Sequence, residues 1–498
     1  MLNFGKPPKH KLVVIGDSLS QGFKNGGIYR TDLSFPAMLA RCFEPTPDFN
    51  LPSFTAQAGI PINMEVLVRG LHEEFGDTFE WNEYVPASKH LISTLKRIKK
   101  YWEGGFKDLA IHQPTPYHNQ SIWGMCVSDS WVVNAHKCKR HVTSNKPHFT
   151  IFDMLPDEAM YTTARLVLNP DLGEEYAKHS MIDNAHRMQK DGGIENLIVC
   201  LGHNNIVQAV TNLSLVWSEH ESLYSFPSDR PYTISRPEHF ELEYRALAER
   251  IARIGAKRVF VPTLPYLTIP PVIRGVNEDR TKSHHGYFDY YTRFWVWDDD
   301  FNPEKHAHIT KEDAITLDLT IDRYNTIIRT VAKEYGWAVV PMGRRISAVA
   351  RRRLGGEVLR PFSAPVVEAL KNHELTSHMV PSDDNVLLST DYLRVDKETG
   401  KVIKGGIFSL DGLHPTTIGY GLMANVYYET MRQAGVDFQK PLDWNAIISE
   451  DTLVTNPPYL LLELRKLMRF LSMGRNESAL NLGKNLLSQI LDTFSPRD

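Results

Sequence analysis

The sequence predicts an α/β protein in which helices cover both faces of a parallel sheet. Short apolar runs rich in β-branched residues alternate with segments of helical period along the chain, and this alternation is typical of βαβ units. A parallel sheet built from such units is buried on both faces. The length of 498 residues is sufficient for a large core of this kind.

Four segments carry the predicted repeating unit. Residues 11–16 and 194–202 read as strands, and both end in glycine. Residues 240–255 have apolar side chains at i, i+3 and i+4 and stop at a glycine, after which RVFVPTL resumes as a strand. Residues 318–336 repeat this design before the short strand WAVVP. We therefore expect successive helix-to-strand steps of one sheet.

Three stretches do not fit the unit and are predicted to be insertions in a single domain that spans residues 10–440. They are residues 64–193, 270–308 and 344–406. The first is rich in Trp, Tyr, His and Asn, so it could cover a site or pack as an elaborated edge of the domain. The third contains a predicted hairpin that turns at residues 398–400.

Residues 441–498 are predicted to form a helical C-terminal extension, since they carry two helical patterns. The first pattern, YLLLELRKLMRFL, has leucines on one side and basic residues on the other. A helix at a membrane surface has this character, but packing against the parent domain is the favoured interpretation.

Composition excludes several classes of protein. The 56 basic and 59 acidic side chains give a net charge of -3, so no positive field attracts nucleic acid, and no nucleic-acid partner is expected. The cysteines are too sparse for a disulfide framework and are expected to be reduced thiols; they are Cys42, Cys126, Cys138 and Cys200. No apolar run reaches the roughly 18 to 20 residues that cross a bilayer. Since no signal peptide is visible, a cytoplasmic location is expected.

Three residues at opposite ends of the chain suggest nucleophilic catalysis. In KLVVIGDSLSQG, Ser18 follows a buried strand directly, where the next helix would direct backbone N–H groups at its hydroxyl. In SLDGLHPTTIGYGLMAN, Asp411 and His414 stand three residues apart before another helix. A serine hydroxyl needs an imidazole to take its proton and a carboxylate to orient that imidazole. Taken singly, Ser18 and Asp411 could equally be helix caps.

These motifs resemble those of the GDSL (SGNH) hydrolases. GDSLSQG is similar to the first conserved block of that family, and DGLHPT is similar to its last block, Asp-x-x-His. LGHNN resembles the Gly-x-Asn-Asp block, although Asn205 stands where the family often has aspartate. The resemblance implies a three-layer α/β/α sandwich with a flavodoxin-like sheet, a Ser18–His414–Asp411 triad, and no metal or organic cofactor.

The resemblance also implies an oxyanion hole with three donors. They are the backbone N–H of Ser18, the side-chain amide of Asn204, and a glycine N–H after the second strand, for which SFTAQAGIPIN offers Gly59. The family usually carries an asparagine a few residues before this glycine, and residues 54–58 contain none.

Members of the family cleave acyl esters and thioesters, lipids and carbohydrate acetates. The expected activity is hydrolysis of a lipid-like or small acyl carboxylic ester, so the expected partner is a small-molecule ester. A carbohydrate O-acetyl esterase and an acyltransferase are alternatives on the same scaffold. A non-catalytic ligand-binding protein with a hydrolase fold is an alternative of another class.

Overall fold

The structure of the protein is a computed structural model, and most of the chain is described. The described residues are 7–54, 59–80, 82–103, 113, 115–144, 158–276, 286–296, 298–350, 363–377, 380, 390–396, 398–458, 460–461, 463 and 466–467. Most of the predicted helical C-terminal extension, residues 441–498, lies outside the described residues.

The described elements alternate between strands and helices over much of the chain. The strands are β1 (His10–Gly16), β2 (Gly27–Ile28), β3 (Ile60–Pro61), β4 (Ile194–Cys200), β5 (Arg258–Pro262), β6 (Ile273–Gly275), β7 (Tyr290–Arg293), β8 (His308–Thr310), β9 (Ala338–Val340), β10 (Arg394–Val395) and β11 (Val402–Lys404). The helices are α1 (Ser18–Gln21), α2 (Phe35–Ala40), α3 (Met64–Phe75), α4 (Tyr84–Glu103), α5 (Asp129–Val132), α6 (Ala135–Ser144), α7 (Glu158–Leu168), α8 (Met181–Lys190), α9 (Val207–Asn212), α10 (Pro237–Ile254), α11 (Lys311–Tyr335), α12 (Met342–Val349), α13 (Ala364–Asn372), α14 (Thr417–Gln433), α15 (Trp444–Ser449) and α16 (Thr452–Thr455).

The central sheet is parallel, with strand order β1-β4-β5-β9. Helices α8, α10 and α11 each precede the next strand of this sheet along the chain. The strands alternate their side chains between two cores. Val13 and Ile15 of β1 lie in the core shared with α8, α10 and α11, while Leu12 and Val14 lie in the core shared with α2 and α14. The predicted α/β class is confirmed as a parallel sheet between two helical layers.

A short extended segment, residues 118–122, runs alongside the free edge of β1. Val14 N donates to His118 O at 2.9 Å, Gln120 N donates to Val14 O at 2.8 Å, and Ile122 N donates to Gly16 O at 3.1 Å. The bridge between Val14 and Asn119 is parallel. Residues 64–193 are therefore not a single insertion outside the sheet, because this segment belongs to the edge of the sheet and α8 leads directly into β4.

The other two predicted insertions form small sheets of their own. Strands β6, β7 and β8 make a three-stranded antiparallel sheet within residues 270–310. Strands β10 and β11 form the predicted hairpin around residues 398–400.

Beyond residue 440, helices α15 and α16 pack against the same core as α14. Asp451 accepts a hydrogen bond from Ile418 N at 2.8 Å, and Thr452 donates to the Glu65 carboxylate at 2.8 Å. Residues 443–455 are thus joined to the first residues of α14 and to α3. None of the helices in the described part of the chain is both long enough and apolar enough to cross a bilayer.

Candidate active site

The loop between β11 and α14 brings Asp411 and His414 into direct contact. His414 Nδ1 lies 3.1 Å from Asp411 Oδ2. The other carboxylate oxygen, Oδ1, accepts the backbone N–H groups of Leu413 and His414, each at 2.8 Å. The loop turns at Gly412, whose φ is +72°, and Thr416 caps α14 after it. Because an ionised carboxylate only accepts hydrogen bonds, Nδ1 carries the proton and Nε2 is left as a base.

The surroundings of Asp411 keep it ionised. Burial by itself would raise the pKa of this carboxyl group. The charge of His414 and the hydrogen bonds from His414 and Leu413 outweigh the effect of burial and hold the pKa of Asp411 below its usual value. Gly26 N donates a further hydrogen bond to Asp411 Oδ2 at 2.9 Å. The carboxylate can therefore orient the imidazole and stabilise its protonated form.

Ser18 is the first residue of α1, and one residue, Asp17, separates it from the end of β1. Its side chain is buried, with 8% of the residue exposed. Asp17 caps the helix by accepting the N–H of Leu19 at 3.0 Å. The backbone N–H of Ser18 has no intrahelical acceptor because it lies in the first turn. Ser18 therefore stands near a strand end, and its N–H has no acceptor among the described residues.

The turn that contains Ser18 packs against His414. The Phe23 ring lies 4.4 Å from the His414 ring between centroids, and Phe23 N donates to Ser18 O at 3.1 Å. Tyr420 of α14 donates its hydroxyl to Phe23 O at 2.6 Å. Within the described residues, no hydrogen bond joins the Ser18 hydroxyl to His414. Asp411 and His414 are thus hydrogen-bonded to each other. Ser18 lies in the turn against which the His414 ring packs.

Asn204 lies in the loop after β4, the strand next to β1. Its side-chain Nδ2 donates to Met125 O at 2.9 Å, and the second N–H has no acceptor among the described residues. Asn205 is buried in a structural role: its Oδ1 accepts Val127 N at 3.0 Å, and its Nδ2 donates to Glu243 at 2.9 Å. Asn205 therefore has hydrogen-bond partners for both its side-chain oxygen and its side-chain nitrogen.

Residues 55–58, which directly precede Gly59, lie outside the described residues. In the described part of the chain, Gly59 precedes β3, which pairs with the two-residue strand β2 in an antiparallel ribbon apart from the central sheet. The segment beside β1 is instead residues 118–122, and the glycine that follows it is Gly124. Gly59 as the third donor therefore stays a prediction, and Gly124 is a second glycine to consider, since it follows the segment beside β1.

The hydrogen bonds of its two neighbours fix the position of Gly124. Its neighbour Trp123 donates its N–H to Gln21 of α1 at 2.8 Å, and its other neighbour, Met125, accepts the amide of Asn204. Gly124 therefore lies between the turn of Ser18 and the loop of Asn204. Its φ is +79°, and its N–H has no acceptor among the described residues. Asn119, five positions before Gly124, is the sequence signal that could have identified it.

A buried ion pair holds the loop after Gly124. Arg230 Nη1 donates to Asp129 Oδ2 at 2.9 Å, and Arg230 Nη2 donates to Asp129 Oδ1. The Asp129 side chain is fully buried and that of Arg230 is 5% exposed. Asp129 also accepts Cys126 N at 2.8 Å. The backbone between Gly124 and Asp129 is therefore fixed by charge-assisted hydrogen bonds.

No protein-family model, no curated protein and no solved structure matches this chain. What the chain does is therefore inferred from its motifs and from the contacts of the described residues.

Proposed function

We propose that this protein is a serine hydrolase that cleaves carboxylic esters through an acyl-Ser18 intermediate. The observation that carries the proposal is the Asp411–His414 pair, which is hydrogen-bonded at 3.1 Å and packed through Phe23 against the turn that contains Ser18. A carboxylate-oriented imidazole beside a serine at a strand end is the arrangement that activates a hydroxyl nucleophile.

In the proposed reaction, His414 Nε2 takes the proton of Ser18 as its hydroxyl attacks the ester carbonyl carbon. His414 then gives that proton to the departing alcohol, and an acyl-serine remains. A water molecule attacks the acyl group while His414 takes its proton; the bond from the acyl carbon to the Ser18 oxygen then breaks, and His414 gives the proton to that oxygen as the carboxylic acid leaves. Asp411 stays ionised throughout and stabilises the imidazolium form of His414.

The negative oxygen of each tetrahedral intermediate needs hydrogen-bond donors, each worth roughly 3 kcal/mol of barrier. We assign this role to the Ser18 N–H, the Gly124 N–H and the side-chain amide of Asn204. The three segments are linked by hydrogen bonds: Trp123 N donates to the Gln21 side chain, and Asn204 donates to Met125 O. Gly124 takes the place that the sequence assigned to Gly59.

The proposed substrate, and the proposed small-molecule partner of the protein, is a lipid-like or small acyl ester. A carbohydrate O-acetyl esterase and an acyltransferase would use the same triad, and comparing activity on short acyl esters, long acyl esters and acetylated glycans separates these alternatives. Trp123, whose ring lies 5.5 Å from that of Phe23, offers an apolar or stacking surface next to the site. Neither a metal ion nor an organic cofactor has a part in this chemistry.

The proposal is tested by incubating the full chain with a fluorophosphonate probe and mapping the modified peptide by mass spectrometry. We expect one adduct on Ser18 and none in Ser18→Ala. Ser34→Ala is the matched control, because Ser34 is another buried serine at a helix start whose hydroxyl has no partner among the described residues. Failure of the folded wild-type protein to react would support the non-catalytic alternative and refute the proposal.

Replacing Gly124 by alanine should slow labelling and ester hydrolysis by roughly 100-fold, since a displaced or lost oxyanion donor has an effect of this order. An added Cβ would lie 2.7 Å from the Met160 sulfur, on a backbone with a φ of +79°. Gly336→Ala is the matched control: Gly336 has a φ of +69° with nothing within 4 Å of the added Cβ, at the end of α11. A rate loss in Gly59→Ala without one in Gly124→Ala would return the donor to Gly59.

A further inference from the structure

Two buried side chains next to Ser18 and Asn204 in the sequence have no role in the proposed reaction. Asp17 precedes the nucleophile, and His203 precedes Asn204. Asp17 is fully buried, and 8% of His203 is exposed. Asp17 Oδ2 and both ring nitrogens of His203 have no hydrogen-bond partner among the described residues. Buried polar atoms are nearly always paired, so these three atoms require an explanation.

The unpaired atoms face each other across the ends of two adjacent strands. His203 Nδ1 lies 4.0 Å from Asp17 Oδ2. The backbone already joins the same two loops, since Asp17 N donates to Cys200 O at 3.1 Å. A movement of about 1 Å brings the nitrogen and oxygen to hydrogen-bonding distance. Gly202, with a φ of +129°, connects β4 to the turn that contains His203.

We infer that Asp17 and His203 form a hydrogen-bonded pair that sets the spacing between two oxyanion donors, the Ser18 N–H and the Asn204 amide. Each member of the pair is covalently adjacent to one of these donors. A change of about 1 Å in the placement of a catalytic group can cost about 100-fold in rate. Both side chains are thus positioning residues, and this role rests on the proposed ester hydrolysis.

The protonation of the two groups suits this contact. Burial raises the pKa of Asp17 to about 7, although the hydrogen bond from Leu19 N opposes the shift. Burial and the nearby charge of His414 lower the pKa of His203 to about 4. His203 is therefore neutral near pH 7. A neutral imidazole can donate to an ionised carboxylate or accept from a protonated one, so the pair can form one hydrogen bond in either form of Asp17.

The test compares kcat and KM of two variants on a short acyl ester. His203→Phe keeps a ring but removes both nitrogens, and we expect kcat to fall by roughly 10- to 100-fold with KM nearly unchanged. His203→Asn keeps a polar group near the Nδ1 position and should restore most of the lost rate. His118→Phe is the matched control, because His118 is also buried but contacts His10 at the far end of β1. Its kcat should stay within about twofold of wild type.

Three outcomes would overturn the inference. The first is a folded His203→Phe variant with wild-type kcat, and the second is an equal loss of kcat in His203→Asn. The third is a wild-type protein that neither hydrolyses esters nor reacts with the fluorophosphonate, which refutes the proposed function as well. An active wild type with unaffected His203 variants refutes the pair alone.

Discussion

Replacing His414 by alanine should lower kcat for ester hydrolysis by roughly 10⁴- to 10⁶-fold, the range found when a triad base is removed. The proposed mechanism asks this imidazole both to take the Ser18 proton and to protonate the leaving alcohol. Without it, only the oxyanion donors and substrate binding would contribute. The rate of fluorophosphonate labelling should fall with kcat, because phosphonylation uses the same activated hydroxyl.

The loop should keep its shape in this variant. Asp411 would still accept the backbone N–H groups of Gly26, Leu413 and residue 414. His179→Ala is a matched control. The His179 ring also lies within hydrogen-bonding distance of a side-chain oxygen, that of Asn184, and beside an aromatic ring. His179 lies just before α8 and outside the candidate site. A wild-type rate in His414→Ala would show that another base serves Ser18.

The strands and helices that could be predicted are those marked by patterns within a short stretch of sequence, such as an apolar run or a glycine at the end of a helix. Strand β1 was expected at residues 11–16 and is His10–Gly16, and β4 was expected at 194–202 and is Ile194–Cys200. Helix α10 ends before Gly255, whose φ is +78°. Helix α11 begins at Lys311, well before the predicted start at residue 318. Thr310 and Asp313 form a capping box there, a sequence signal for the true start.

The segment beside β1 could not be predicted in the same way. Residues 118–122 read HNQSI, which has neither a continuous apolar run nor the alternation of a half-buried strand. Its side chains bind the neighbouring turn instead: Asn119 donates to Ser20 O at 2.9 Å, and Ser121 lies 2.7 Å from Ser20 between hydroxyl oxygens. These contacts span about a hundred residues of sequence, and short-range patterns carry no information about them.

The candidate site also has parts that the sequence predicted and parts that only the fold shows. Asp411 and His414 are three residues apart, so one loop can present both, and their contact followed from spacing. Their relation to the first turn depends on Gly26 and Phe23, and the hydrogen bond from Gly26 to Asp411 spans 385 residues. Sequence motifs identified the reactive residue types, whereas only the fold shows Gly124 beside the Ser18 and Asn204 loops and the side chains of Asp17 and His203 4.0 Å apart.

Truncating Asp129 to alanine should lower the free energy of unfolding by roughly 3 to 5 kcal/mol, because it leaves the guanidinium of Arg230 buried without its carboxylate. Arg230 makes two hydrogen bonds to Asp129 in a site where neither side chain is more than 5% exposed. Cys126 N would also lose its acceptor. Urea unfolding followed by circular dichroism measures the loss.

The neighbouring Asp229 provides the control for this experiment, since it is an exposed aspartate whose partner is Ser228. Asp229→Ala should change stability by no more than about 0.5 kcal/mol. The double variant Asp129→Leu with Arg230→Met should recover most of the stability, because a buried ion pair replaced on both sides by apolar groups of similar size is nearly neutral. If Asp129→Ala costs less than about 1 kcal/mol, the guanidinium must find water or another acceptor. The loop that carries Gly124 would then be held mainly by Asn204 and Asn205.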